Sequence, residues 1–425
     1  MPLTNWLRNW RAARQLPKIG SNSRRARRST SRSRFRPCLE ALENRWLPST
    51  LTVLNTADSG PGSLRATIAA AQSRDTINFD SSLTGQSIIL TSGELVIDKS
   101  LDIEGPASDP PTINIFNSGS SRGFDITDGS TTVTLAHVSV FARIFDAGAT
   151  LNLIRDDVTG GASGASAQGG AIYQAGGTLS LSHCVVEGGA GGSSTGQGGG
   201  IYNVGGTLNL ADCLIACEAT GTALAAGGGI YDTAGATLTA SGTRFDFNEV
   251  FAGTAPGDTA MGGAIYQADG SLSLTNCSIG GSNLQSANVY GGAIYLGGGT
   301  ASIVNSTLGS NYAAATGLGQ GGAIYVATGT LTLTNTSFSG NTAFGSAAAG
   351  SVAQGGALYV AGGTVTIANC SFFQNAAYGY TAQDSGVGGA LYIAGGSVCI
   401  TSNTTFQLDF ASQGYSEIYG PYTIC

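Results

Sequence analysis

Arg244 and Asp246 are the residues whose types and spacing are best suited to chemistry in this sequence. Arg244 is the single basic residue of residues 158–425, and Asp246 follows two positions later. Phe245 and Phe247 flank the acid, so strand alternation predicts that the base and the acid share one exposed face. Such a pair can exchange protons with a bound substrate, which makes it the candidate catalytic pair. The plainer interpretation is a surface ion pair.

Asp156 and Asp157 form a second pair, because two carboxylates can serve as acid and as nucleophile or base around one glycosidic bond. They follow Arg155 directly. Adjacent residues on a strand face opposite ways, so both carboxylates can flank one bond only at a turn. The spacing therefore favours a structural role.

Two neighbouring repeats carry a possible metal ligand followed directly by a cysteine at the same two positions. These pairs are His183-Cys184 and Asp212-Cys213, and Cys217 lies nearby in the sequence. Alternation puts His183 and Asp212 on one face and the two cysteines on the other. Neither face then collects the four ligands of a structural zinc. We therefore expect no metal site and no resident cofactor.

The sequence leaves the redox state of its cysteines open. In stacked repeats Cys184 lies within disulfide reach of Cys213, and Cys399 lies within reach of Cys425. The cysteine count of eight does not identify the redox compartment.

These residues sit in a unit that recurs eight times, in which a glycine pair precedes a small residue, an aliphatic residue and a tyrosine. A unit of this size cannot bury its own apolar face, so units must stack. Within a unit, Leu331 and Leu333 alternate with threonines, as in a half-buried strand. The sequence therefore predicts an all-β, right-handed, single-stranded parallel β-helix with one coil per repeat. The eight tyrosines are Tyr173, Tyr202, Tyr231, Tyr266, Tyr295, Tyr325, Tyr359 and Tyr392.

Two more positions recur relative to the tyrosine. The position thirteen residues after it is apolar, for example Ile215, Phe338 and Phe372. The position ten residues after it is polar, and its later members are asparagines. We predict that these asparagines turn inward and form a ladder of amides hydrogen-bonded from coil to coil. They are Asn276, Asn305, Asn335 and Asn369.

Charge divides the chain into two parts. Residues 1–48 carry twelve basic and two acidic residues, a net charge of +10, and are interpreted as a disordered tail or a targeting segment. Residues 49–425 carry a net charge of −17, which argues against nucleic-acid binding. The sequence contains no run of 18 apolar residues, so it predicts no membrane-spanning helix.

We divide the solenoid into four parts: an N-terminal cap (49–85), irregular coils (86–160), the tyrosine repeats (161–410) and a C-terminal end (411–425).

The predicted cap contains a short helix. Ser63 is a suitable N-cap residue, and Leu64 and Ile68 then share one apolar face. A helix here is expected to cover the exposed core of the first coil.

The longer repeats carry extra residues before the next glycine pair, and insertions of repeat proteins often cluster on a binding face. We expect a ligand-facing surface on these loops. They comprise residues 249–260, 343–353 and 376–387, including Asp258, Tyr378, Tyr380 and Asp384.

The repeats resemble those of polymorphic outer-membrane proteins. The resemblance rests on the Gly-Gly-Ala-Ile segments and on a later Phe-x-x-Asn segment at residues 338–341 and 372–375, and covers residues 165–410. Residues 55–68 resemble the Ser-Leu-Arg segment that opens many bacterial secreted β-helix proteins. Residues 39–45, Leu-Glu-Ala-Leu-Glu-Asn-Arg, resemble the N-terminal motif of planctomycete extracellular proteins. These resemblances imply a pectin-lyase-like solenoid located outside the cell or on its envelope.

The function that this implies is a structural or adhesive binding surface without catalysis, whose partner is a polysaccharide or a component of the cell envelope. An inert spacer is a further possibility. The alternative is a polysaccharide lyase or hydrolase, for which Arg244 would be the base and Ca²⁺ bound by carboxylates a possible cofactor. The sequence identifies neither the ligand nor the oligomeric state.

Overall fold

Strands dominate the structure because the repeat alternates buried aliphatic residues with short polar ones. In the strand Thr330–Thr334, Leu331 and Leu333 are buried and the threonines lie outside. Over the residues that the structure describes, one α-helix, Leu64–Ala70, and one 3-10 turn, Ser81–Leu83, complete the elements. The computed structural model describes residues 47–108, 110–118, 122–233, 235–347, 350–380 and 386–425.

Residues 48–425 form one compact unit in which the chain visits three sheets in turn. The first sheet has 14 strands, and each strand pairs in parallel with the strands of the preceding and following coils. Its strands are Thr50–Val53, Asp75–Phe79, Leu101–Glu104, Thr132–Ala136, Thr150–Ile154, Thr178–Ser182, Thr207–Ala211, Thr237–Ser241, Ser271–Thr275, Thr300–Val304, Thr330–Thr334, Thr364–Ala368, Ser397–Ile400 and Thr423–Ile424.

The second sheet has 12 short parallel strands and carries the repeated tyrosines. The eight tyrosines pair directly with one another, which confirms the predicted tyrosine column. The strands are Leu95–Ile97, Phe124–Ile126, Ile144–Asp146, Ile172–Gln174, Ile201–Asn203, Ile230–Asp232, Ile265–Gln267, Ile294–Leu296, Ile324–Val326, Leu358–Val360, Leu391–Ile393 and Ile418–Tyr419.

The third sheet is bent, and many coils contribute two or three short strands to it because a turn interrupts the chain there. The strands are Ser87–Leu90, Ile113–Asn117, Val138–Phe141, Asp157–Gln168, Val185–Gln197, Leu214–Thr220, Leu224–Ala226, Arg244–Asp246, Glu249–Phe251, Thr259–Met261, Ser278–Gly280, Asn283–Tyr290, Thr307–Gly309, Tyr312–Gln320, Ser337–Ser339, Thr342–Gly345, Val352–Gln354, Ser371–Phe373, Ala376–Tyr378, Gly386–Val387, Thr405–Gln407 and Phe410–Ala411.

One apolar core runs between the three sheets. The predicted apolar position lies inside it, and the fully buried rings of Phe338 and Phe372 stack at 4.7 Å. At the N-terminal end, the helix begins after Ser63, whose side chain accepts the Ala66 N–H. Leu64 belongs to the same buried cluster as the first strands. The parallel solenoid predicted from the repeats is confirmed, and its right-handed winding stays a prediction.

The predicted inward orientation of the asparagine column is wrong. Asn335 and Asn369 are exposed, although their amides do form a ladder: Asn369 donates to Asn335 at 2.6 Å and Asn335 to Asn305 at 3.1 Å. Each of the four predicted asparagines has a positive φ, between 51° and 54°. Asparagine tolerates this left-handed conformation better than most residues. The turn interrupts strand alternation, so the following residue, such as Thr336, faces inward instead.

A buried asparagine ladder exists at a different turn. Asn311 donates to Asn341, Asn341 to Asn375 and Asn375 to Asp409, each at 2.9 Å. All three asparagines are fully buried. Each of the three asparagines follows a residue with positive φ, for example Gly340 before Asn341. This turn and the turn of the exposed ladder therefore both place a left-handed residue directly before a buried one. Asn341 and Asn375 belong to the Phe-x-x-Asn segment of the repeat, which was the signal in the sequence; in the coil of Asn311 a leucine replaces the phenylalanine.

Candidate functional site

The candidate catalytic pair lies on the outside of the third sheet. Phe245 is fully buried, so Arg244 and Asp246 lie on the outer face, where Arg244 Nη2 forms an ion pair with Asp246 Oδ2. The Arg244 side chain is 65% exposed. In the next coil the two residues pair with Ser278 and Gly280, which carry no ionisable group. The positions paired with Arg244 and Asp246 in that coil therefore add no acid or base to complete a catalytic group.

The expected inward position of Phe247 is wrong, because its φ is 52° and its side chain is 73% exposed. The turn at Phe247 places Asn248 inside instead, where Asn248 Oδ1 accepts the N–H of Cys217 at 3.0 Å. The outward orientation of Arg244 and Asp246 does not depend on this residue.

The two neighbouring aspartates have different environments. Asp156 is fully buried, and its two oxygens accept the N–H groups of Val138, at 2.8 Å, and Ile154, at 3.0 Å. Burial raises the pKa of Asp156 to about 8. Asp157 begins the next strand, on its outer side. Asp156 therefore supports a turn of the backbone, and the two carboxyl groups do not face one bond.

The cysteine positions are structural. Cys184 and Cys213 are buried and free, and their thiols donate to the backbone carbonyls of Leu153 and Ala211 at 3.3 Å. They share one inward turn position with the buried residues Thr243, Cys277, Ser306, Thr336 and Cys370. Within the described residues, no group of three or more His, Cys, Asp or Glu side chains is arranged to hold a metal ion.

A disulfide joins Cys399 to Cys425, with Cα atoms 5.9 Å apart. Of the two disulfides that the sequence allowed, the structure contains this one.

The tyrosine column of the second sheet is a continuous stack of rings. The ring centroids of neighbouring tyrosines lie 4.3–5.4 Å apart, and the ring planes are nearly parallel. The stack extends to Phe145 at one end and Tyr419 at the other. Burial raises the pKa of inner members such as Tyr266 and Tyr295. Because each ring covers the face of the next, the column presents edges to a ligand and acts chiefly in packing.

The long loops lie on the side of the third sheet. Tyr378 and Tyr380 are 44% and 67% exposed, and Asp258 accepts the Ala255 N–H within its own loop. Asp384 lies outside the described residues. The loops thus offer exposed tyrosines, and their role in binding stays a prediction.

A groove crosses the outer face of the first sheet, and we name it the hydroxyl groove. Its volume is about 400 Å³, and it crosses the strands of five successive coils. One row of side chains borders it, and a second row lies two positions further along the strands. The first row is Thr134, Asn152, Ser180, Asn209 and Thr239; the second includes Ile154, Ser182, Ala211 and Ser241.

The composition of the strands produces this groove. In Thr178–Ser182, Leu179 and Leu181 are buried, so Ser180 and Ser182 occupy the outer face. Such short side chains leave the backbone of the strands as the floor, and the apolar side chains that reach the groove are those of Ile154 and Ala211. Among the described residues, none that lines the groove is charged. Sequence reasoning missed it, although short uncharged residues at the outward positions of successive strands were its signal.

The hydroxyl groove is therefore a surface for uncharged ligands. It offers hydroxyl and amide groups at the coil spacing of ~4.8 Å, together with the apolar side chains of Ile154 and Ala211. In the described part of the chain, no helix is long and apolar enough to cross a membrane. The chain matches no protein-family model, no curated protein and no solved structure.

Proposed function

We propose that the solenoid is an extracellular or cell-envelope protein that acts as a structural and adhesive surface, and that it binds neutral polysaccharide along the hydroxyl groove. The groove carries this proposal. Sugars combine apolar ring faces with hydroxyl groups, and the groove offers both the exposed apolar side chain of Ile154 and short polar side chains such as Asn152 and Ser180.

The electrostatics of the surface also favour a neutral partner. The solenoid has a strong net negative charge, which opposes acidic polymers. The groove itself lacks charge, so binding there is expected to change little with salt. The location outside the cell rests on the resemblance of residues 39–45 and 55–68 to segments of exported bacterial proteins.

The test is binding of residues 48–425 to an array of neutral and acidic glycans, with a variant that blocks the groove. Ser180→Trp places a large ring in the groove from an outward position, so the core is not disturbed. Ser302→Trp is the matched control, because Ser302 occupies the same row of the first sheet four strands further on, beyond the groove. We expect Ser180→Trp to weaken binding at least tenfold and Ser302→Trp to leave it unchanged. Equal binding by both variants would exclude the groove.

The loops offer a second location for the same function. Trimming residues 249–260, 343–353 and 376–387 to the length of the shortest repeats should then remove binding, while Ser180→Trp would have no effect. The two results separate the loops from the groove.

The alternative function is a polysaccharide lyase or hydrolase, favoured by one observation: Arg244 and Asp246 place a base and an acid on one exposed face. Release of reducing sugar from glycans by the wild-type protein, and its loss in Arg244→Ala and Asp246→Asn, would support the enzyme. Binding without release would support the adhesive surface.

A further inference from the structure

Four buried side-chain oxygens of the second sheet have no hydrogen-bond partner. They are Oδ2 of Asp146 and of Asp232, and Oε1 of Gln174 and of Gln267. All four residues are fully buried. Asp146 pairs in register with Gln174, and Asp232 pairs in register with Gln267. Each unpartnered carboxyl oxygen therefore has an unpartnered amide oxygen on the paired residue of the next coil.

The orientation of both amides is fixed by their nitrogen atoms. Gln174 Nε2 donates to the carbonyl of Thr207 at 3.3 Å, and Gln267 Nε2 donates to the carbonyl of Asp269. Turning either amide over would place its oxygen against a carbonyl oxygen. Both Oε1 atoms thus remain acceptors, and each needs a donor.

The other oxygen of each carboxyl group is already occupied. Asp232 Oδ1 accepts from Asn203 Nδ2 at 2.9 Å, from the coil before. Asp146 Oδ1 accepts the N–H groups of Gly148, at 3.0 Å, and Ala149, at 2.7 Å. Oδ2 is therefore the atom of each aspartate that is left for an interaction with the next coil.

We propose that, in mildly acidic solution, Asp146 and Asp232 are neutral carboxylic acids inside the folded solenoid, and that each donates its Oδ2–H to Oε1 of the glutamine in the next coil. The proton comes from solvent during folding and satisfies two buried acceptors at once. This interior acid–amide pair joins adjacent coils and is independent of the hydroxyl groove.

The electrostatic environment agrees with this assignment. Burial raises the pKa of Asp146 to about 6 and that of Asp232 to about 7. The opposing influences come from the amides of Gly148 and Ala149 and from the neutral side chain of Asn203. Among the described residues, no charged or titratable group contributes to either shift. Desolvation therefore favours the protonated form.

The acid–amide pairs make the stability of the solenoid depend on pH. Each folded-state pKa is raised above the unfolded value, so the folded chain binds protons more tightly than the unfolded chain. The stabilisation is complete below the ordinary pKa of aspartate, about 4, and is lost as the pH rises through about 6 to 7. The protein is thus expected to be more stable in mildly acidic than in neutral solution.

The test is thermal unfolding of the full chain and of Asp146→Asn/Asp232→Asn between about pH 4 and about pH 8. Asparagine can donate Nδ2–H to the glutamine at any pH. The wild-type Tm should fall by several degrees across this range, and the double variant should show a clearly smaller fall. Asp156 and Asp409, whose pKa values burial also raises, are present in both proteins and contribute equally. Glu104→Gln, which removes an exposed carboxylate of the first sheet, should retain the wild-type dependence.

A spectroscopic measurement covers the case in which the double variant does not fold. Infrared spectra at about pH 5.5, well above the ordinary pKa of aspartate, should contain the C=O band of protonated carboxylic acids, and this band should be weaker in each of the single variants Asp146→Asn and Asp232→Asn than in the wild-type protein. Asp156 contributes to the band equally in all three proteins. An undiminished band in both single variants, or a double variant with the full wild-type change of Tm, would overturn the proposal.

Discussion

Two regions of the solenoid bury polar groups in different ways. In the coils of residues 144–267, the position after the aromatic residue is polar and faces the core; its members are Asp146, Gln174, Asn203, Asp232 and Gln267. In the later coils the same position is apolar, and its members are Leu296, Val326, Val360 and Ile393. The later coils carry the buried ladder of Asn311, Asn341 and Asn375 at another turn.

The difference lies in how completely each arrangement is satisfied. Asn341 donates to the carbonyl of Leu308 and to Asn375, and its oxygen accepts from Asn311. An amide both donates and accepts, so a stack of asparagines satisfies itself. A stack that mixes aspartate and glutamine has too few hydrogens unless the carboxyl groups are protonated. The comparison teaches that the asparagines of the later ladder are satisfied without an added proton, while the acid–amide pairs of the earlier coils need one. The later coils add one buried carboxyl group, Asp409 at the end of the ladder, whose pKa burial raises.

The largest expected effect concerns packing in the later coils. The Phe372 ring is fully buried and stacks on Phe338 at 4.7 Å and on Phe406 at 4.9 Å. We expect Phe372→Ala to reduce the free energy of unfolding by about 3–5 kcal/mol, because a cavity replaces the ring. Chemical denaturation measures the loss. In the earlier coils Ile215→Val, which removes one methylene, should cost about 0.5–1.5 kcal/mol.

The second prediction concerns the buried ladder. Asn341→Leu removes the amide between two others, and leaves Asn311 Nδ2 and Asn375 Oδ1 each without one partner. Each unsatisfied buried group costs about 1–3 kcal/mol, so we expect a loss in that range or somewhat above it. The loss should be the same at acidic and neutral pH. A loss that changed with pH would contradict the distinction between the two regions.

The third prediction tests the exposed ladder at Asn335. Water replaces its amide bonds, so their contribution is small, and the positive φ of 52° dominates the effect of substitution. Asn335→Ala should cost about 1 kcal/mol, because alanine is strained in the left-handed region. Asn335→Gly, which has no such strain, should cost less. If both variants were equally destabilised, the amide would matter more than the backbone.

The smallest effect is expected at Arg244 and Asp246. Their ion pair is exposed, so Arg244→Ala should change the free energy of unfolding by about 0–1 kcal/mol, and less at high salt. A larger loss would mean that the pair has a structural role that its position on the surface does not explain. Measuring the variant with and without added salt separates charge from packing.

The repeat alone predicted most of the strands. Leu331 and Leu333 were expected to be buried, and they are. The tyrosine spacing predicted the register of the second sheet. These predictions succeeded because alternation and recurrence depend on local geometry and on coils stacking in register.

The predictions failed where a turn interrupts alternation. Phe247 was placed inside because it was counted as a strand residue, and Asn335 because an amide ladder was expected to satisfy buried polar groups at its turn. Both residues have positive φ, and their side chains lie outside. Left-handed residues are hard to recognise when they are not glycine. A left-handed residue moves the next inward-facing position by one residue along the chain. For this reason Thr336 and Asn248 are buried.

The sequence by itself determined that the chain is a stack of parallel coils, which residues share a column, and that the repeats hold a single base. Only the tertiary structure decided which polar columns face the core, because that depends on the exact turn at each corner. It also decided where the hydroxyl groove lies, since a groove forms only when short side chains of five separate coils meet on one sheet. Neighbours in the fold that lie about 30 residues apart in the chain create both the buried acid–amide pairs and the groove.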